Sequence, residues 1–428
     1  MIQKVLDFIN SDEEMQRRQR LILSLITLVK WLFFSSIIGI IIGLVGALFH
    51  ILLNLATTFR KEHDFMIFLL PIAGLIIIAL YHLCGYKKSR GTNLVISAIQ
   101  ENDHIPFKMA PLIIISTFLT HLCGGSAGRE GAALQVGGSI GNTIANLFKF
   151  DEKDTRIMIM CGMSACFGAL FGTPVAAAIF SMEVISVGIM YYAALVPCIL
   201  SALIGSSISS MFGIGATKFT IGALPQFTAF NVGKIILLAC IFAIVSIILC
   251  ISLHSAGHLY GKYIENQYIR VFAAGLIVMA LRFALNTTDY LGAGTDIIEK
   301  SFENPSAFYV FALKILFTAL TLGGGFKGGE IVPTMFVGAT VGSAFSVLFG
   351  LPVGLCAACG LVTVFCGVTN CPLTSLIIAI EMFGADSMKF IAISIAIGYL
   401  LSGYYSLYNS QKIVYSKYKT EYINRKSQ

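Results

Sequence analysis

Charged residues are absent from four long stretches of the chain: Trp31 to Phe59, Phe65 to Tyr86, Val184 to Thr217 and Ile331 to Ile380. A helix crosses a bilayer with roughly 20 apolar residues, so several full crossings are predicted. The stretches are continuous and do not alternate in the ~10-residue segments of a membrane barrel. The pattern therefore predicts an all-α polytopic membrane protein. Many apolar pieces are short and punctuated, as in "FGTPVAAAIF", "LFGLPVGLC" and "GVTNCPLTSL". Pro and Gly place breaks at Thr173-Pro174, Leu351-Pro352 and Cys371-Pro372. Non-helical backbone at membrane depth must be buried in protein or line a cavity, so broken helices around an internal path are expected.

Composition agrees: 57% of the 428 residues are hydrophobic and 12% charged, about half the charged fraction of soluble domains. The first apolar run is too long for a signal peptide and follows the charged, amphipathic "MIQKVLDFINSDEEMQRRQR". No cleavage is expected, and residues 1–29 read as a cytoplasmic or interfacial helix. The net charge of +7 gathers in "RRQR" (17–20), "YKKSR" (86–90) and the tail "KIVYSKYKTEYINRK". The positive-inside rule puts these, and both termini, in the cytoplasm of a multi-pass protein in the cell membrane. The basic residues flank apolar segments and cover no soluble face, so lipid is the expected surroundings and nucleic acid is not a partner. The eleven cysteines fall mostly in apolar segments and read as packing residues. The Cys356/Cys359 pair has no second pair or nearby His to complete a metal set; no metal or cofactor is expected.

The chain repeats itself. "CGMSACFGALFGTPVAAAIFSME" (161–183) matches "CGLVTVFCGVTNCPLTSLIIAIE" (359–381) at an offset of 198, pairing Pro174 with Pro372 and Glu183 with Glu381. Upstream, "GGSAGREG" matches "GGFKGGEI" at an offset of 200, pairing Glu130 with Glu330, while Val136-Gly137 resembles Val337-Gly338 one position later. Duplicated transporters often place their substrate where the halves meet, near the midplane, at the ends of broken helices. The boundaries read as a first repeat over 30–215, a second over 216–410 and a cytoplasmic tail over 411–428. The relative orientation of the repeats is left open by the pattern. Gly39/Gly43, Gly137/Gly141 and Gly338/Gly342 have GxxxG spacing, which predicts close helix packing.

Candidate chemistry concentrates in "GSAGREGAAL". Glycines leave backbone N–H groups uncovered, and the helix that follows adds its positive dipole end, so the turn reads as an anion site. Glu130 sits at the first turn, where its ionised carboxylate competes with a substrate anion and its protonated form can leave. A plain cap or an Arg129–Glu130 pair is the alternative. The second copy, "GGGFKGGEIVPTMF", offers Glu330 as a proton carrier or determinant of anion choice, against simple pairing with Lys327. Glu183 and Glu381 read as architectural caps. Lys314 pairs with one of these acids or snorkels. Tyr404, Tyr405 and Tyr408 are hydroxyl donors or interfacial anchors. "GGSAG" at 124–128 matches a GxSxG nucleophile pattern with His121 near, but the strand–turn–helix context is wrong.

At these residues the chain resembles the CLC family of chloride channels and anion/proton exchangers. "GREG" is similar to that family's G(K/R)EGP, with Ala132 where Pro is usual. "FGTPVAAAIFSMEV" resembles FNAPLAGxLFxxEE, "GGEIVP" occupies the place of GxFxP, and "SLYNSQKI" that of PLY. The resemblance spans roughly 30–410. It implies a CLC-type fold of two inverted-topology repeats of tilted and broken helices, a homodimer with one pore per subunit, and no nucleotide-sensing module after the membrane part. Four departures are informative. "SRGTNLVIS" (89–97) replaces GSGIP, which makes Thr92 and Asn93 site candidates. Glu330 takes a normally apolar place. Val184 replaces the inner Glu of the chloride exchangers. The second repeat reads "TNCPL", with Asn370. The combination is similar to the bacterial branch that exports fluoride in exchange for protons, although a Met often found near Thr92 there is absent. The resemblance implies Glu130 as gate, Glu330 as second coupling acid, Tyr408 as an anion-site hydroxyl, and an anion path along Gly128, Arg129, Gly131, Ile331 and Val332. The expected activity is fluoride/proton antiport. Chloride/proton exchange or a passive chloride channel of the same fold is the alternative.

Overall fold

The computed structural model describes residues 2–86, 90–101, 103 and 105–428, with residues 2–17 given as helical backbone alone. Lys87, Lys88 and Ser89, part of the basic and anion-site stretches named above, and the Arg17 side chain lie outside the described residues. Sixteen α-helices form among the described residues. In the first half these are α1 (Ile2–Glu62), α2 (Leu70–Leu83), α3 (Thr92–Glu101), α4 (Met109–Leu122), α5 (Glu130–Leu147), α6 (Glu152–Phe171), α7 (Pro174–Glu183) and α8 (Leu195–Met211). In the second they are α9 (Ala229–Tyr263), α10 (Gln267–Leu285), α11 (Thr295–Glu303), α12 (Val310–Gly323), α13 (Ile331–Phe349), α14 (Val353–Thr369), α15 (Pro372–Phe383) and α16 (Met388–Leu401). Seven described helical segments are long and apolar enough to cross a membrane. Helix α1 runs through residue 29 without a break, because residues 2–38 contain neither Gly nor Pro to interrupt it.

The broken helices fall where Pro dictated. Pro174 and Pro372 each open a short helix as its first residue, a place where the missing N–H is not needed. Leu351-Pro352 separates α13 from α14. The glycine pairs do what their spacing predicted. A methyl group at Gly137 would collide with the carbonyl of Gly162 on α6, and one at Gly338 with the carbonyl of Gly360 on α14. Helices α5 and α6 therefore pack backbone to backbone, and α13 and α14 repeat the contact.

The two halves clasp each other through carboxylates. Glu183, at the end of α7, accepts hydrogen bonds from the N–H of Leu373 (3.0 Å) and Thr374 (2.8 Å) at the start of α15, and from the Thr374 hydroxyl (2.6 Å). Glu381, on α15, accepts from the N–H of Val175 (3.1 Å) and Ala176 (2.9 Å) at the start of α7. Each acid occupies the orphan donors and positive dipole end of the other's helix. This is the architectural role expected of the pair, and its reciprocity is what a two-fold relation between repeats produces.

The chain ends in a small sheet. Strand β1 (Ser186–Val187) pairs in parallel with β2 (Lys412–Tyr415), and β2 pairs antiparallel with β3 (Tyr422–Lys426). Residues 411–428 are thus tied to the segment that follows α7. Buried Gln411 fastens the attachment: its Nε2 donates to the carbonyls of Val184 (3.0 Å) and Thr369 (2.8 Å), and its Oε1 accepts from Asn370 (2.9 Å).

Candidate functional site

Two glycine-rich loops meet at the centre, one between α4 and α5 and one between α12 and α13. Gly128 N–H donates to the Gly329 carbonyl and Gly329 N–H to the Gly128 carbonyl, both at 2.7 Å, in an isolated antiparallel bridge. No residue larger than glycine fits there. A Cβ on Gly329 would lie 2.6 Å from the N of Gly131 and 2.9 Å from the N of Glu130, and one on Gly128 would lie 2.9 Å from Pro333 Cδ.

The bridge sets the register of the duplication. Gly128 and Gly329 are 201 positions apart, as are the first residues of α5 and α13 (Glu130 and Ile331) and the left-handed Gly124 and Gly325 (φ 87° and 114°). Glu130 is therefore equivalent to Ile331, and Arg129 to Glu330. The sequence match at 200, which paired the two acids, is one residue out. Consecutive glycines in both copies allow two registers by sequence, and only the backbone chooses between them.

Glu130 is fully buried at the first position of α5. Its Oε2 accepts the Arg129 N–H (3.0 Å), and its Oε1 accepts from Arg129 Nε (3.3 Å). Oε2 also lies 2.9 Å from where a Gly128 Cβ would stand. The carboxylate thus folds back over its own helix start and fills the place that uncovered N–H groups offer to an anion. Arg129 is anchored in turn by donating from Nη1 to His50 Nδ1 on α1 (3.0 Å).

Glu330 has a different environment. Its carboxylate makes no hydrogen bond or ion pair among the described residues; its backbone carbonyl alone is engaged, by the N–H (3.0 Å) and hydroxyl (2.9 Å) of Thr334. The expected alternative, pairing with Lys327, is absent: Lys327 Nζ lies over the Tyr81 ring, 4.9 Å from its centroid. A carboxylate left without a partner in a protein interior is costly unless it faces water or a ligand. Glu330 faces a cavity of about 590 Å³ that Lys327, Arg270 and His254 also line.

The remaining predicted residues divide. Thr92 opens α3, is buried, and donates from its hydroxyl to the Gly131 carbonyl (3.3 Å). Gly131 is packed against both Thr92 and Gly329, so these three share one point with the backbone of Glu330. Ile331 and Val332 are buried in the first turn of α13. Asn93 turns elsewhere: its Oδ1 accepts the Ser410 N–H (2.9 Å), tying α3 to the C-terminal segment. Tyr408 is buried, and its hydroxyl has no hydrogen-bond partner among the described residues while lying within electrostatic range of Glu330 and Glu130. The Tyr404 hydroxyl, in contrast, is taken by Ser416 (2.7 Å). Lys314 pairs with no acid and does not snorkel. It is buried and donates to the carbonyls of Gly292 (2.7 Å) and Tyr290 (3.3 Å). Ser126 shares its hydroxyl with Thr318 (3.0 Å), while His121 Nε2 meets the Gly128 carbonyl (3.2 Å), so the two form no nucleophile–base pair.

A second cavity, of about 210 Å³, is lined by His121 and Arg129, by Arg60, Lys61, Arg282 and Lys300, and by the acids Asp64, Asp289 and Asp296. The two cavities lie at opposite ends of α10, one at Gln267 and Arg270 and the other at Arg282, which are about 22 Å apart at 1.5 Å per residue. Arg129 lines one cavity and its equivalent Glu330 the other; so do His121 and its equivalent Leu322. Equivalent residues opening to opposite faces is the signature of inverted repeats. The bridged loops and Glu130 stand between the cavities. Sequence reasoning missed Gln411 and Arg60. Gln411 carried no signal, being a polar residue in a polar tail. Arg60 was one basic residue at a helix end.

Comparisons with known proteins agree with this arrangement. The family model described as voltage gated chloride channel matches residues 73–403. A chloride/fluoride channel protein of Pseudomonas syringae pv. tomato is 35% identical over 398 residues, covering 91% of this chain and 88% of that protein. An H(+)/Cl(−) exchange transporter of Vibrio cholerae is 23% identical over 382 residues, covering 82% of this chain and 81% of that protein. Among solved structures, a CLC-type fluoride/proton antiporter superposes with a TM-score of 0.87 at 33% identity, covering 90% of this chain and 98% of the other. With a family model covering most of its length and its inverted, broken-helix fold, the chain belongs to the voltage gated chloride channel, or CLC, family.

Proposed function

We propose that this protein is a secondary transporter that exports fluoride in exchange for protons. The observation that carries the reading is the pair of unlike acids: Glu130 locked over the loop bridge, and Glu330 facing the opposite cavity without a partner. An ionised buried carboxylate repels an anion, and a protonated one donates a hydrogen bond to it. Fluoride is small and strongly hydrated, so it needs close donors and gains where protons are available. Glu130 acts as the gate that leaves its N–H groups when protonated. Glu330 ties anion occupancy to protonation on the other side. Thr92, Tyr408 and the backbone from Gly128 to Gly131 and at Ile331 and Val332 line the anion path, with Asn93 at its edge and Arg129 holding the gate. Support comes from the likeness to a chloride/fluoride channel protein and to a fluoride/proton antiporter.

By the positive-inside rule the basic N-terminus lies in the cytoplasm. Helix α1 then delivers its C-terminal end, which lines the Arg129 cavity, to the outer face, and the Glu330 cavity opens inward. The bacterial relatives support a plasma-membrane location, and the family resemblance supports a homodimer with a pore in each subunit. Fluoride-driven proton flux in proteoliposomes tests the reading: a fluoride gradient should move protons uphill. A fluoride leak that moves no protons would make the protein a channel. A strong preference for chloride over fluoride, the reading that the chloride-named relatives favour, would make it a chloride exchanger.

A further inference from the structure

The outer cavity holds a cation with no hydrogen bond or ion pair of its own among the described residues, although Asp64 and Asp296 on the same walls lie within electrostatic reach of it. Of the charged groups on its walls, Lys61 pairs with Asp296 and Arg282 with Asp64 at 3.5 Å, while Asp289 and Lys300 make no ion pair among the described residues. Arg129 is committed to Glu130 and His50. Arg60, at the end of α1, makes no hydrogen bond and no ion pair from its side chain among the described residues, and its Nε is enclosed. A guanidinium carries five donors in a fixed fork and cannot shed its charge. Its Nε is enclosed without a partner, which is unfavourable, and the residue lines the cavity, a setting that an entering anion would complete.

The setting is built from several elements. An Arg60 amine stands 3.0 Å from where a Cβ of Gly292 would lie, and Arg60 Cδ is 3.5 Å from the same point on Gly124. Gly292 in turn gives its N–H to the Gly125 carbonyl (3.2 Å) and its carbonyl to buried Lys314 (2.7 Å). Arg60 is therefore held against the loop that carries Glu130 and against a second buried cation. Both glycines are required. Their φ values, 60° and 87°, are ones that side chains rarely adopt, and at Gly292 the Arg60 amine also stands close to where a side chain would begin.

We infer that Arg60 forms an anion-holding site in the outer cavity, one step beyond Glu130, for a small inorganic anion of halide size. An anion displaced from the bridged loops by the returning Glu130 carboxylate passes to a fixed positive charge and not into apolar protein. The inference rests on the anion-transport reading. The test is anion flux in proteoliposomes of wild type, Arg60→Gln and Arg60→Lys. In vesicles of mixed orientation, flux against fluoride concentration is the sum of one component for each face. Arg60→Gln should raise the half-saturating concentration of one component about tenfold, equivalent to about 1.4 kcal/mol, with the other component, the maximal flux and the proton-to-anion ratio unchanged. Arg60→Lys, which keeps the charge but loses the fork, should fall between. Both components unchanged, or both changed together, would overturn the site. If Arg60→Gln fails to fold, an Arg60→Lys protein with wild-type affinity at both faces has the same force against it. Absence of anion flux in the wild type would instead defeat the transport reading itself.

Discussion

The loop at 124–131 and the loop at 325–332 share a backbone and differ in what they do with charge. Both follow a helix, turn on a left-handed glycine and enter a new helix, and they exchange a pair of 2.7 Å hydrogen bonds. At the last position before the helix, the first has Arg129 and the second Glu330; at the helix start, the first has Glu130 and the second Ile331. The first loop neutralises its acid internally, with Arg129. The second leaves its acid without a partner, facing a cavity. One scaffold thus occurs twice, and different residues at two adjacent positions leave one acid paired and the other facing a cavity.

The sharpest way to break this comparison is to neutralise each acid separately. Glu130→Gln should abolish proton-coupled fluoride movement, a loss of at least about 100-fold in fluoride-driven proton flux; unchanged exchange would remove Glu130 from the gate. Glu330→Gln should also uncouple protons, but with fluoride movement lowered only about tenfold and stability within about 0.5 kcal/mol of wild type, because no partner is orphaned. A large fall in melting temperature for Glu330→Gln would mean that its carboxylate is structurally engaged after all. The bridge itself comes next. Gly329→Ala pushes a methyl against the backbone of Glu130 and Gly131 and should cost about 1–3 kcal/mol by thermal unfolding, the range for overpacking, along with transport.

A milder comparison concerns the reciprocal caps. Glu183 is buried with three donors, and Glu381 is more exposed with two. Glu183→Gln should therefore destabilise by about 2 kcal/mol and Glu381→Gln by about 1; equal losses would contradict the difference in burial. The smallest effect is expected at Tyr408. Its hydroxyl has no partner among the described residues, so Tyr408→Phe should leave the melting temperature unmoved while weakening apparent fluoride affinity about threefold to tenfold. Wild-type affinity would remove the hydroxyl from the anion path.

Much of this was legible in the residues. Uncharged runs foretold the membrane, Pro174 and Pro372 the helix breaks, Gly137 and Gly338 the close packing, and the matched Glu183 and Glu381 their caps. Each of these depends on local chemistry: a missing N–H, a missing side chain, a carboxylate at a helix end. Lys314 was misjudged because its partners, the carbonyls of Tyr290 and Gly292, are backbone atoms and leave no mark on residue type. Gln411 was silent for a similar reason, since two of its three side-chain hydrogen bonds go to backbone carbonyls and all three partners lie more than forty residues away.

By itself the sequence determined that the chain spans a membrane, that it is duplicated, and that acids sit beside glycine turns, because those features reside in composition and spacing. Only the tertiary structure decided that Arg129, and not Glu130, is the counterpart of Glu330. It also decided that Lys327 leaves Glu330 alone, that the C-terminal residues fold back to hold Asn93 and Val184, and that Arg60 lines the Arg129 cavity with no ion pair among the described residues. Those outcomes depend on which backbone atoms meet across the two repeats, and runs of glycine fit either register equally well until the antiparallel bridge closes.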